Sequence, residues 1–293
     1  MLLVPCLLLH DSMYYYILDP GKMSLPKFEQ VQVELQGLLH EFNISGEFAR
    51  ITTLRTVADL VDVAAARGAS TVIVCGNDDT LNQVLAAVGQ RDFLIGFIPL
   101  DPQSSYLATI LGLPNLLTSV KTIAARRIVT IDTATINQLS FISFLEFGVT
   151  SNNFSQTGPW KTFQLLSKSA TKWTLKIDNS YTLTIQGLGG LVLNSRSTSS
   201  KQEKIANPTD GFLDVLVMEE IGKLDIFKYK ELIAQGRLEE LPNPTIIKCK
   251  TVELLEPRGS VVTMFGRAVA KFPAVVSMTG KKQRMIVGKQ RTF

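Results

Sequence analysis

The sequence predicts an α/β amino-terminal part followed by a carboxy-terminal part of mostly antiparallel β-strands. Up to about residue 117, apolar runs alternate with helix-period segments, which is typical of a doubly wound parallel sheet. Residues 71–75 form an apolar and β-branched run, as expected for a buried parallel strand. Residues 173–185 alternate apolar and polar positions about an Asp-Asn turn, which indicates a hairpin. With 293 residues there is room for about two domains, which we place at residues 1–117 and 118–293.

Four strands and four helices are predicted in the first part. The strands are residues 14–18, 48–51, 71–75 and 93–100, and three of the helices are residues 28–42, 81–88 and 104–111. The remaining helix is opened by Thr56 or Asp59 and ends near Gly68. Pro26 suits the first turn of the first helix, and Gly112 follows the last one.

The second part contains shorter strand patterns and one helix. Strands are predicted at residues 128–131, 141–147, 215–218 and 261–264, in addition to the hairpin at 173–185. The helix is predicted at residues 226–232. No internal repeat and no low-complexity tract interrupts this pattern.

Composition excludes several classes of function. The net charge of +4 and the lack of an aromatic and basic patch predict no nucleic-acid partner. The three cysteines lie far apart in the sequence and are odd in number, so we expect neither a disulfide framework nor a zinc site. This use of cysteine indicates a reducing compartment. His10 and His40 lack metal-ligand spacing.

Membrane contact is considered at both ends of the chain. The apolar residues 1–9 are too short to span a bilayer, and we expect a buried strand or a tail there. No other segment has transmembrane length, so a cytoplasmic protein is expected. The last residues are rich in basic side chains, which we interpret as a solvated edge or as a peripheral contact with an anionic lipid surface. These side chains are Lys281, Lys282, Arg284, Lys289 and Arg291.

The polar turn after Cys75 is the first candidate for a binding site. Ligands of open parallel sheets bind beyond the carboxyl ends of the strands. Backbone N–H groups between such a strand and a helix can hold a phosphate. The turn reads Gly76-Asn77-Asp78-Asp79-Thr80.

The loop after Pro99 is the second candidate. It contains Asp101-Pro102 and, two residues later, Ser104. Asp followed by Pro is a favourable pair for an N-cap and a first helical turn. We therefore expect the Asp101 carboxylate to satisfy the first N–H groups of the next helix.

Several segments, in order from about residue 14 to 287, resemble the diacylglycerol kinase and sphingosine kinase superfamily. Residues 19–22 stand where the family has an Asn-Pro-x-Ser-Gly turn, and residues 76–80 stand at its Gly-Gly-Asp-Gly-Thr loop. Residues 98–100 and 111–114 are similar to its Ile-Pro-Leu and Leu-Gly-Ile-Pro segments. The segment 210–215 is similar to its Asp-Gly-Leu-Leu-Asp-Val signature.

The resemblance implies an ATP- and Mg²⁺-dependent phosphotransferase of phospholipid metabolism that acts on a lipid hydroxyl. It implies a metal ligand at Asp78 and a general base in an acidic turn near the carboxyl terminus. Phosphoryl transfer depends mostly on positioning and charge neutralisation. The nucleotide-binding candidates are Gly76, Asn77, Asp78, Asp79, Thr80, Asp101 and Ser104.

The first loop departs from the family pattern at two glycines. Asn77 and Asp79 take their places, and we expect the turn to keep a left-handed backbone, which Asn and Asp tolerate best among non-glycine residues. Their side chains would occupy the space where phosphate approaches. At about 4 Å, two like charges repel by roughly 4 kcal/mol at an effective dielectric near 20, so Asp79 opposes an anion.

Two further departures affect the second loop and the presumed base. Residues 101–105 read Asp-Pro-Gln-Ser-Ser where the family has Gly-Thr-Gly-Asn-Asp. The turn Phe265-Gly266-Arg267 stands at the acidic turn, so Arg267 occupies the presumed base position. Arginine cannot accept a proton.

These departures predict a catalytically impaired member of the family that binds nucleotide, lipid or a partner. An active lipid kinase in which Asp78 and Asp79 hold Mg²⁺ is the alternative. An NAD-kinase-like enzyme is a third interpretation, since that group has a related Gly-Gly-Asp loop. The segment 210–214 fits lipid kinases better.

Overall fold

The computed structural model describes residues 14–21, 23–148, 170–195, 206–219, 228–229, 231–232, 240–242 and 244–293. These residues form a mixed α/β structure with five α-helices and fifteen β-strands. They divide into two compact units. The first contains the described residues up to Val129 together with Gln283–Arg291, and the second contains those of Thr130–Lys282 with Thr292–Phe293. Residues 118–129 thus group with the first unit, whereas the sequence-based boundary lies at residue 117.

The first unit alternates strands and helices as predicted. Its elements are β1 (Tyr14–Leu18), α1 (Leu25–Glu41), β2 (Glu47–Arg50), α2 (Val57–Ala66), β3 (Thr71–Gly76), α3 (Asp78–Val88), β4 (Leu94–Pro99), a 3-10 turn (Pro102–Ser104), α4 (Tyr106–Leu111) and α5 (Leu116–Ala125). Thr56 and Asp59 both open α2, because they form a reciprocal capping box. Helix α5 was not predicted from the sequence.

The strands of this unit are parallel and their carboxyl ends are level. The order is β2-β1-β3-β4, and Met285 of the last strand pairs with Ile95 beside β4. Leu18 pairs with Cys75, and Gly76 pairs with Pro99. The loops that follow β1, β3 and β4 therefore begin side by side.

Both faces of this parallel sheet are buried. One face packs on α1 and α5 through a cluster that includes Phe28, Leu35 and Ile123. The alternate strand residues, such as Tyr15 and Val74, are also buried, where α2 and α3 contact β1 and β3. Burial on both faces explains why these strands read as continuous apolar runs.

The second unit is built from antiparallel pairs. The strands that contribute to it are β5 (Ile128–Ile136), β6 (Leu139–Phe141), β7 (Phe144–Gly148), β8 (Thr171–Ile177), β9 (Tyr181–Leu193), β10 (Leu213–Glu219), β11 (Thr245–Cys249), β12 (Thr251–Glu256), β13 (Val261–Met264), β14 (Arg267–Lys271) and β15 (Ala274–Ile286). The predicted hairpin is confirmed as β8 and β9, and its turn residues Asp178 and Asn179 have φ of 47° and 56°. The strand predicted at residues 141–147 is two strands, β6 and β7. Of the helix predicted at residues 226–232, the described residues 228–229 and 231–232 are helical, and the other three lie outside the described residues.

An aromatic core fills the second unit. The Trp173 ring lies 5.0 Å from Phe147 and 5.7 Å from Phe272, measured between ring centroids. The Trp173 indole N–H donates to the Gly187 carbonyl at 3.0 Å, which satisfies the buried donor. The sheet face that carries Trp173 is therefore the inner face of this unit.

The ends of the chain are only partly described. The apolar stretch at residues 1–9, with Cys6 and His10, lies outside the described residues. Of the basic residues near the carboxyl end, Lys282 lies 3.7 Å from Asp132, and Arg284 lies 3.0 Å from Asp92. Among the helices described, none combines the length and the apolar character that crossing a membrane requires.

The end of α4 provides a test of this packing. Gly112 has φ of 72°, and a Cβ there would lie 2.6 Å from the Arg291 backbone nitrogen. Gly112→Ala should lower the free energy of unfolding by about 3 kcal/mol, because the left-handed backbone is strained for alanine and its Cβ would clash with the Arg291 backbone. Gly68, with φ of 74° and no atom near its missing Cβ, is the matched control. Gly68→Ala should cost only about 1 kcal/mol in urea unfolding, and equal losses in the two variants would contradict this packing.

Candidate functional site

Three loops meet at the carboxyl edge of the parallel sheet. The Asp19 N–H donates to the Cys75 carbonyl at 2.8 Å, and the Leu100 N–H donates to the Gly76 carbonyl at 3.0 Å. These bonds continue the strand ladder into the loops after β1, β3 and β4. The predicted site residues 76–80, 101 and 104 lie in two of these loops.

Asn77 is the N-cap of α3. Its side-chain oxygen accepts from the Thr80 N–H at 3.0 Å and lies 3.1 Å from the Thr80 hydroxyl. Its φ of −114° and ψ of 179° are extended, and no residue from 76 to 80 has a positive φ. The expected left-handed backbone at Asn77 and Asp79 is therefore wrong. The helix begins already at Asp78, so this turn needs an N-cap rather than glycines.

Gly76 is required by close packing. The Thr80 hydroxyl donates to the Asp19 carboxylate, and this contact crosses directly over Gly76. A Cβ on Gly76 would lie 3.0 Å from the Asp19 Cβ and 3.1 Å from the Thr80 Oγ1. The other Asp19 oxygen accepts from the Gly21 N–H at 2.8 Å. Asp19, which the sequence analysis had not placed among the site residues, thus joins the first two loops.

Asp78 joins the second and third loops. It is only 7% exposed. Its Oδ1 accepts from the Ser105 hydroxyl, and its Oδ2 accepts from the N–H groups of Tyr106 at 2.7 Å and Leu107 at 3.2 Å. Burial raises the pKa of the Asp78 carboxyl above its ordinary value, and these three hydrogen bonds act in the opposite direction.

The cap of α4 is therefore Asp78 together with Ser105. The Ser105 Oγ accepts from the Ala108 N–H at 2.9 Å, as an N-cap does. Asp101 instead precedes the 3-10 turn, is exposed, and makes no capping bond with its side chain. The expectation that Asp101 caps the helix is wrong, because the helix begins at Tyr106. Ser104 donates to the Asp101 carbonyl at 3.2 Å.

Asp79 contacts its own helix. Its Oδ2 accepts from the Gln83 side-chain amide at 2.8 Å, four residues along α3. With Asp19, Asp78 and Asp101, it makes four carboxylates in the three loops. The one basic residue in these loop sequences, Lys22, lies outside the described residues.

These loops do not fit Mg²⁺ or a nucleotide phosphate. Mg²⁺ requires oxygen ligands in near-octahedral geometry, and both Asp78 oxygens already accept bonds from protein donors. Within the part of the chain that the structure describes, no three His, Cys, Asp or Glu side chains are grouped so as to hold a metal. The carboxylates would repel a phosphate.

Arg267 belongs to the second unit rather than to this network. It pairs with Met264 across the β13–β14 hairpin, whose turn residues Phe265 and Gly266 have φ of 49° and 77°. The Phe265 ring packs edge-on against Phe144 with centroids 5.6 Å apart. The hairpin conformation at this position is thus stabilised by an aromatic contact.

Solved structures of bacterial proteins assigned as diacylglycerol kinases share this fold. Two structures from Bacillus anthracis str. Sterne, each assigned as a diacylglycerol kinase, match with TM-scores of 0.73 and 0.73 at 17% and 15% sequence identity. The matches cover 96% of this chain in both cases, and 98% and 96% of the other chain. A diacylglycerol kinase structure from the same organism matches with a TM-score of 0.71 at 15% identity, over 95% of this chain and 98% of its own.

These matches define the fold of the chain. The chain has the fold of these diacylglycerol kinases, as the resemblance in the sequence predicted. No family model and no curated protein matches the chain. What the chain does must therefore be inferred from its own residues.

Asp78→Asn tests the capping role. An amide presents one oxygen where the carboxylate presents two, so a buried donor of Ser105 or α4 loses its acceptor. We expect a loss of about 1–3 kcal/mol in the free energy of unfolding, measured with urea at neutral pH. Asp101→Asn, on an exposed side chain without a capping bond, should change it by less than about 0.5 kcal/mol. Equal effects of the two substitutions would refute the assignment of the cap to Asp78.

The pH dependence of stability gives a second test. Because the pKa of Asp78 is raised in the folded protein, protonation favours the folded state. This contribution is fully present below the unfolded value of 3.8 and is lost as the pH rises through the folded pKa. The unfolding free energy of the wild type minus that of Asp78→Asn should thus be larger at about pH 4 than at about pH 7. A difference that stays constant or grows with pH would contradict the raised pKa of Asp78. Burial also raises the pKa of Asp214, and subtracting the variant from the wild type removes the contribution of Asp214.

Proposed function

We propose that this protein is a lipid-kinase-like protein that does not transfer phosphate and acts by binding lipid or a partner. The fold supports the family, and the loops support the loss of catalysis. The observation that carries the proposal is the hydrogen bonding of Asp78. Its two oxygens accept three hydrogen bonds at the start of α4, so binding of a metal ion there would compete with these bonds.

The polar side chains next to Asp78 also form hydrogen bonds within the loops. Asn77 and Thr80 satisfy each other, and Thr80 also bonds Asp19. Turning the Asp78 carboxylate away from α4 to bind a metal ion would leave the Ser105 hydroxyl and two N–H groups of α4 without their acceptor. Each such loss costs about 1–3 kcal/mol, so the network opposes binding of the metal as well as binding of phosphate.

Charge supports the same proposal. Phosphoryl transfer needs cations or N–H donors directed at the phosphate oxygens. Here the Thr80 N–H donates to Asn77, and two N–H groups of α4 donate to Asp78. Asp79 and Asp101 add negative charge at the same edge of the sheet.

The alternative is an active lipid kinase. It is favoured by the fold and by Asp78 and Thr80, which match the family loop. It requires Asp78 to release Ser105 and α4 when Mg²⁺ and ATP bind. It also requires a base other than Arg267.

A phosphorylation assay separates these two functions. Purified protein is incubated with labelled ATP, Mg²⁺ and either diacylglycerol or a long-chain base in mixed micelles, beside an active diacylglycerol kinase. We expect no labelled lipid above the level of a protein-free blank. The matched variants are Asp78→Asn and Asp101→Asn, both checked by circular dichroism to be folded in the assay. Transfer that Asp78→Asn abolishes and Asp101→Asn retains would show an active kinase and overturn the proposal.

A further inference from the structure

The end of β1 places a carboxylate beside the loop that follows β3. Leu18 pairs with Cys75, and the Asp19 N–H donates to the Cys75 carbonyl at 2.8 Å. The strand ladder therefore continues as far as Asp19 and fixes its backbone next to Gly76. The Asp19 side chain is half-buried there.

Both oxygens of the Asp19 carboxylate are hydrogen-bonded within the loops. The Oδ1 atom accepts from the Gly21 N–H at 2.8 Å, which is the arrangement of an Asx turn. The Oδ2 atom accepts from the hydroxyl of Thr80, which lies in the first turn of α3. These two bonds hold the negative charge of Asp19 against the start of α3.

The same contact fills the space beside Gly76. A Cβ on Gly76 would lie 3.0 Å from the Asp19 Cβ, 3.1 Å from the Thr80 Oγ1 and 3.2 Å from the Thr80 Cβ. A phosphate group is larger than a methyl group, so it cannot enter this space unless Asp19 moves. The first loop touches the second at another point, because a Cβ on Gly21 would lie 3.0 Å from the Asn77 Nδ2.

Charge acts in the same direction as the lack of space. The start of a helix attracts anions, and here a carboxylate of the chain itself is bonded to the first turn of α3. Because β1 fixes Asp19, this carboxylate is always present, whereas a dissolved phosphate must displace it. Two like charges about 4 Å apart repel by an amount that corresponds to roughly a thousandfold in affinity at an effective dielectric near 20.

We propose that Asp19 is the residue that excludes phosphate from the loop after β3, because its carboxylate takes the place of an anion at the start of α3. The inference rests on the proposed function, for which it names a specificity-determining residue. Asp78 and Asp19 have separate effects. The bonds of Asp78 to α4 compete with a metal ion, whereas the bond of Asp19 to Thr80 competes with the phosphate itself.

Binding of inorganic pyrophosphate tests the role of Asp19. Pyrophosphate is titrated into the whole protein without Mg²⁺ or lipid, the affinity is measured by calorimetry, and amide chemical shifts locate the site. We expect no binding by the wild type at millimolar pyrophosphate. Asp19→Asn removes the charge but keeps the shape of the side chain, and should bind at least about tenfold more tightly than the wild type. Asp19→Ala also uncovers Gly76 and should bind more tightly still, with shifts at residues 76–80.

Asp101→Asn is the matched control, since it removes the same charge from an exposed side chain after β4. It should change the affinity by less than about threefold, because exposed charges are screened. Lys22 is present in all four proteins and therefore does not affect the comparison. Circular dichroism checks that each variant is folded.

Three results would overturn the role of Asp19. They are binding by both Asp19 variants that is no tighter than that of the wild type, an equal gain in Asp101→Asn, and chemical shifts confined to residues outside 76–80. Failure of the proposed function would be seen differently, as labelled lipid in the phosphorylation assay.

Discussion

The buried carboxylate of Asp78 is the interaction on which the structure of the candidate site depends. A carboxylate at 7% exposure is stable only if its oxygens are hydrogen-bonded. Here the donors are the Ser105 hydroxyl and the first N–H groups of α4. The start of α3 and the start of α4 are therefore held together by one side chain. The position of the third loop follows from this contact, and so does the beginning of α4 at Tyr106 rather than at Pro102.

The same contact belongs to a set of hydrogen bonds that close the loops in a fold shared with diacylglycerol kinases. The level ends of β1, β3 and β4 bring the three loops together whatever their residues are. In this chain the loops are closed by their own side chains: Asn77 caps α3, Thr80 bonds Asp19, and Asp78 caps α4. The N–H groups of Thr80, Tyr106 and Leu107 are thus used within the protein. Fold and activity are thus set by different residues, and likeness of fold to diacylglycerol kinases does not by itself establish their chemistry.

Local patterns in the sequence were sufficient to predict most of the first unit. The runs at residues 14–18 and 71–75 are apolar because both faces of the sheet are buried. A continuous apolar run of this kind can be recognised from consecutive residues of the sequence. In contrast, α5 was missed, although Asn115 caps it. The hairpin of β8 and β9 was predicted from its alternating pattern and its Asp-Asn turn, and both turn residues adopt positive φ. The strands β11, β12, β14 and β15 were missed, since they depend on pairing with strands distant in sequence.

The loops show the limit of sequence reasoning more clearly. Asp101-Pro102 has the local pattern of a cap, yet Asp78, 28 residues before Tyr106, supplies the acceptor. No local pattern can show which carboxylate reaches which helix. The left-handed turn expected from the family loop was also wrong, because Asn77 satisfies the Thr80 N–H by capping and the backbone stays extended.

The most direct test of this account is a crystal structure of the protein soaked with Mn²⁺ and a non-hydrolysable ATP analogue. The account predicts that Asp78 stays bonded to Ser105 and to the Tyr106 N–H, with no anomalous density at a coordinating distance of about 2.0–2.2 Å from its oxygens. An anomalous peak at that distance, with Asp78 turned away from α4 and phosphate density beside residues 76–80, would contradict it.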